Sequence, residues 1–258
     1  MRAPERTHPV RALVAAASFL TRLPLGAAAG RVTEADLRTG AAWFPAVGAL
    51  VGLLGASGGW LVAHRAPAAL AAVVVVAIEA AVTGVFHLDG LADTADGLGA
   101  ASSGRDGLRV MRDPTIGAFG ATALVLDLAL RIAAVSALLD GSAFPWAIVA
   151  AAGAARVAPL TLARALPYLR PDGGGGSWVG ERLATTTLAT GSAIGIGIAF
   201  LAGAAGAAGI VVTVAVVTVA IGGIARRCFG GATGDVFGAA AELAQTLGLV
   251  TVVVIAGR

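Results

Sequence analysis

Long apolar blocks alternate with short polar segments along the chain. Residues 183–225 hold no charged side chain at all. A membrane helix needs about 20 apolar residues, so this block is long enough for two. The glycines of LAGAAGAAG (201–209) supply a tight turn between them. The same pattern predicts spans at about 41–63, 67–86, 115–139, 143–165, 183–204, 208–225 and 236–256. The expected fold is all-α: one polytopic helical membrane domain over residues 1–258, with about seven transmembrane helices. At the N-terminus Arg2, Arg6 and Arg11 flank a short apolar run over 12–20, which TRLP (21–24) then breaks. An interfacial or re-entrant helix is expected there rather than a cleaved signal, with its arginines at the headgroups.

Composition sharpens this picture. Of 258 residues, 57% are hydrophobic and 13% charged, where soluble domains carry about 25% charged residues. A soluble class is excluded. The net charge is +3, and no lysine occurs. The arginines lie between apolar blocks rather than on one exposed face, which argues against nucleic-acid binding. A single cysteine, Cys228, excludes an internal disulfide and a cysteine metal site. Arginines crowd into 1–40, 87–114, 164–182 and 226–235, whereas the intervening turns are poor in them. Under the positive-inside rule those four segments face the cytoplasm.

Small residues at helical spacing, Gly48, Gly52 and Gly55 and again 191, 195 and 197, predict close helix packing. Asp127 and Arg131 stand four apart and are expected to neutralise each other. Glu79 has no local partner, so it either pairs across helices or carries a proton.

The chemistry concentrates in two of the cytoplasmic segments. FHLDGLADTADG (86–97) carries Asp89, Asp93 and Asp96 directly after an apolar block. On a helix, Asp93 lies about 40° round from Asp89 and Asp96 about 20° the other way, so the three share one face. Three such anions repel one another, and a hard divalent cation relieves the conflict. Gly90 and Gly97 adjoin that face and admit a close neighbour, while His87 points away and suits a hydrogen-bonding or substrate role. GGATGDVFGAAAEL (230–243) repeats the seven-residue spacing with Asp235 and Glu242. Its Gly230, Gly231 and Gly234 precede a helix start, where free N–H groups bind phosphate. Arg112, Arg164 and Arg170 offer guanidinium forks for phosphate oxygens. Carboxylates, arginines and glycine loops on one side suggest phosphoryl transfer on a diphosphate.

These motifs resemble the cobalamin synthases, the adenosylcobinamide-GDP ribazoletransferases. The resemblance runs through FLTRLP (19–24), FPAVG (44–48), HLDGLADTADG (87–97), MRDPTIGAFG (111–120), PYLRPDGGGG (167–176) and GGATGDVFGAAAE (230–242), in family order. It implies attack of a hydroxyl of α-ribazole, or of its 5′-phosphate, on the phosphate attached to cobinamide, with GMP leaving. It implies Mg²⁺, with Mn²⁺ as an alternative; the shared helix face and common membrane side point to Asp89, Asp93, Asp96 and Asp235 as its holders, with Asp96 or Asp235 instead taking the proton. Substrate contacts are expected from Arg22, His87, Arg112, Arg170, Gly231, Thr233 and Glu242. The implied setting is the inner membrane, with the site facing the cytoplasm, the bilayer as partner and oligomerisation left open. Two other readings are weaker. A CDP-alcohol phosphotransferase motif is half matched, with alanine at 101 where arginine is required, and an ion-coupled transporter would place its acids at mid-membrane.

Overall fold

The computed structural model describes residues 9–25, 32–102, 106–139, 141, 144–170 and 182–257. Among them nearly all regular structure is helical. The exception is an isolated parallel bridge between Tyr168 and Ala232.

Helix α1 (Pro9–Leu20) buries Ala12, Ala15 and Ala16, and α2 (Glu34–Gly40) packs across it, with Gly40 against the Ala12 carbonyl. A capping box starts α2: the Asp36 N–H donates to Thr33 Oγ1, and the Thr33 N–H donates to the Asp36 carboxylate. That carboxylate also pairs with Arg11 at 3.1 Å, tying the two helices together. A short 3₁₀ turn (Ala41–Trp43) leads into α3 (Phe44–Ala63). Next come α4 (Ala68–Thr83), α5 (Phe86–Ser102) and a single turn, α6 (Gly107–Val110). The rest of the bundle is α7 (Ala118–Leu138), α8 (Phe144–Ala155), α9 (Val157–Ala165), α10 (Thr185–Ala199), α11 (Gly203–Phe229) and α12 (Gly234–Ile255).

The glycine stripe on α3 serves two neighbours. A Cβ at Gly52 would lie 2.8 Å from the Ala152 Cβ of α8, and one at Gly55 would lie 2.9 Å from Glu79 of α4. Helices in lipid gain little from the hydrophobic effect between themselves, so such close backbone approach is what binds them. Helix α8 is buried along almost its whole length and forms the centre. Val125, Leu126 and Leu130 of α7 stay exposed, as a lipid-facing surface requires.

Five helical stretches are long and apolar enough to cross a membrane, or up to six if a bent pair is one span. About seven spans were expected, and the difference has two sources. The run expected at 67–86 stops at Thr83, because Gly84 (φ 63°) and Val85 (φ 58°) both turn left-handed. The chain then bends by 89° into α5. The two spans expected over 183–225 form one 45-residue stretch. That stretch nevertheless folds back near Gly203 (φ 77°). Ser192 and Val214 line one cavity of about 250 Å³, whereas a straight helix would hold them roughly 33 Å apart.

Candidate active site

Helix α5 turns away from α4 by 89° and packs against α12. Gly90 makes this approach: a Cβ there would sit 2.7 Å from the Asp235 carbonyl and 3.2 Å from the Gly238 Cα. Beside it, α12 begins at an N-cap Thr233, whose Oγ1 accepts from the Val236 N–H and donates to Asp235 Oδ2 at 3.3 Å. Gly231 packs under the strand-like segment 167–169, and paired backbone bonds join Leu169 to Ala232 and Ala232 to Pro167, each 2.9 Å. That bridge delivers Arg170, whose Nη1 pairs with Asp235 Oδ2 at 2.9 Å. Tyr168 stacks on Phe237 with ring centroids 6.1 Å apart. From the other side, Met111 packs against Gly97, and Thr233 Oγ1 lies 3.9 Å from its sulfur.

The four expected acids therefore meet at one end of the bundle. Asp93 stands in the combined field of Asp235, Asp89 and Asp96, with Arg170 as the opposing charge. Asp89 is exposed, whereas Asp93, Asp96 and Asp235 are half-buried. Two of the four are already engaged. Asp235 holds Arg170, and Asp96 accepts the backbone N–H of Gly117 at 2.7 Å and of Gly120 at 2.8 Å, just where α7 begins. Among the described residues no three His, Cys, Asp or Glu side chains converge on a metal position. The donor chemistry still suits Mg²⁺, which is usually held by one or two carboxylates plus substrate phosphates rather than by an all-protein cage. Asp89 and Asp93, one turn apart, supply such a pair.

The remaining expected residues divide by depth. Arg22 is exposed and lies over Gly84, where the chain turns into the acid helix. Arg112 is exposed beside Met111. Next to it the Asp113 carboxyl is held below the usual range by the Thr115 hydroxyl and N–H. The α7 helix starts at Ala118, so Pro114 stands in the preceding loop. The glycine run 173–176 lies outside the described residues. Glu242 and His87 are both buried, Glu242 two helical turns beyond Asp235 and His87 two residues before Asp89. Glu242 pairs with Arg131 at 2.6 Å, and Arg131 also meets Glu79 at 3.5 Å and the expected Asp127 at 3.6 Å. Thr246 accepts from the same guanidinium, and Gln245 donates to Glu79 and accepts from Arg156. His87 borders this network and, with Arg156, also lines a small cavity beside Gly234 and Phe237. Sequence spacing reveals only the Asp127–Arg131 pair, because the other partners come from distant helices.

Comparison with known proteins agrees with this geometry. The family model described as Cobalamin-5-phosphate synthase matches residues 12–253. An adenosylcobinamide-GDP ribazoletransferase of Novosphingobium aromaticivorans is 37% identical over 259 residues, 96% of this chain and 98% of that one. Proteins of the same name are 36% identical in Ralstonia pickettii, over 92% of this chain and 93% of theirs, and 34% identical in Azorhizobium caulinodans, over 94% and 95%. No solved structure matches. With its motifs gathered at one end of a helical membrane bundle and the match spanning almost its whole length, the chain belongs to the cobalamin-5-phosphate synthase family.

Proposed function

We propose that this transferase moves the adenosylcobinamide-phosphate group from adenosylcobinamide-GDP to α-ribazole or its 5′-phosphate. The ribazole hydroxyl oxygen forms the new P–O bond, the bond to the GMP oxygen breaks, and the hydroxyl proton passes to a carboxylate. The observation that carries this reading is the meeting of Asp89, Asp93 and Asp235 with Arg170 at one end of the bundle. Among the described residues, Arg170 Nε and Nη2 are buried and meet no hydrogen-bond partner. Unmet guanidinium donors beside an acid cluster suit the anionic oxygens of a diphosphate.

Asp89 and Asp93 would hold Mg²⁺ against that diphosphate, and Asp235 would be released when Arg170 turns to phosphate. The cation supplies neutralisation of charge on the bridging and leaving oxygens. Asp235 is the better base of the two acids considered, since both Asp96 oxygens already accept N–H groups. Arginine placement supports a cytoplasmic orientation of this end, which fits an inner-membrane protein.

The test is an assay of detergent-purified protein with adenosylcobinamide-GDP, α-ribazole and Mg²⁺. GMP and the cobalamin product should appear in equal amounts, and only with the divalent cation. GMP released without cobalamin would mark a hydrolase and overturn the reading.

A further inference from the structure

We propose that Asp96 is a positioning residue: its carboxylate latches the acid helix α5 to the N-terminus of α7 and fixes where Asp89 and Asp93 stand. Each oxygen takes a different backbone donor, Oδ2 from Gly117 and Oδ1 from Gly120, at 2.7 and 2.8 Å. These are the short lengths of charge-assisted bonds. Two separate donors fix both the position and the plane of the carboxylate. The contact spans 21 and 24 residues of chain, so it joins two elements rather than stabilising one turn.

The N-cap of helix α7 is Gly117, which has no side chain to fold back on the first N–H groups. Asp96 performs that task from outside, where the helix dipole favours an anion. The glycines of IGAFG make room for it. A Cβ at Gly117 would come within 2.5 Å of Asp96 Oδ1, and one at Gly120 would overlap the carboxylate and lie 2.9 Å from the Ala92 carbonyl. A cation on the same oxygens would face the positive ends of these N–H groups.

Deeper in the bundle the same α7 is held by Arg131, which reaches Glu79 of α4 and Glu242 and Thr246 of α12. Helix α7 thus acts as a strut. One end sets α5, which carries Asp89 and Asp93, and the middle sets α12, which carries Asp235.

The latch can be separated from a ligand role by Mn²⁺ binding to the purified full chain, followed by electron paramagnetic resonance, alongside steady-state kinetics. This readout rests on the metal role given above to Asp89 and Asp93. Asp96→Asn should leave Mn²⁺ affinity within about twofold of wild type, whereas Asp93→Asn should weaken it about tenfold or more. Asp96→Asn and Gly120→Ala should each lower kcat about tenfold or more, with both KM values nearly unchanged. Combined, they should cost no more than the worse single change, because both break one contact. Asp96→Glu keeps the charge but misplaces it, and should not rescue kcat.

Loss of Mn²⁺ affinity in Asp96→Asn equal to that in Asp93→Asn would overturn the proposal. Full additivity of the double variant would overturn it as well. If wild type itself binds no Mn²⁺, the metal reading of the cluster fails, and the double-variant comparison still decides the latch. Should Asp96→Asn not fold, Gly120→Ala carries the same kinetic test with the carboxylate intact.

Discussion

At Arg131 one guanidinium meets carboxylates from three helices, Glu79, Asp127 and Glu242, all of them buried. Removing one partner of a buried ionic group strands the others and costs about 3–5 kcal/mol. Arg131→Ala should therefore lower the thermal unfolding midpoint in detergent sharply, and Arg131→Lys should fall between, keeping charge but losing the fork. An unchanged midpoint in Arg131→Ala would contradict the hub. The local half of this cluster was legible, since Asp127 and Arg131 stand at helical spacing. Glu242 was not. Its seven-residue spacing puts it on the same face as Asp235, but two turns carry it about 10 Å deeper. A shared face is not a shared depth, so the two acids meet different neighbours. The same rise separates Asp89 from Asp96 on α5 and sends Asp96 to α7 instead of to the cluster centre.

The contact between α5 and α12 rests on Gly90. A methyl group there would press on the Asp235 backbone, and overpacking of this kind costs about 1–3 kcal/mol. Gly90→Ala should displace α5 and reduce turnover strongly. Gly223→Ala, at a helical glycine with nothing within 4 Å, should leave turnover unchanged. Equal turnover in the two variants would show that the α5–α12 spacing does not matter. A close partner at Gly90 and Gly97 could be read from the chain, because glycine beside a row of acids invites approach. So could the turn within 201–209. The end of α4 was read too long, since the apolar run continues through Val85 and Phe86 while Gly84 and Val85 take left-handed backbone. Hydropathy registers the apolar side chains and is blind to that bend.

Across the whole molecule, the segments carrying Arg22, Arg112, Arg170 and Arg226 pack around one end of the bundle, which also carries the acids. The exposed Cys228 lies at this end, two residues beyond Arg226. It should react with an impermeant maleimide in inside-out membrane vesicles and stay protected in intact cells. Labelling in intact cells would reverse the orientation. On the function proposed above, the acids of α5 and α12 act together on one diphosphate. Turnover of Asp93→Asn and Asp235→Asn in the purified assay, each protein first shown to be folded, tests this. Asn keeps the shape and removes the charge, so both variants should lose at least about two orders of magnitude in GMP release. Near-wild-type GMP release by either folded variant would contradict the account.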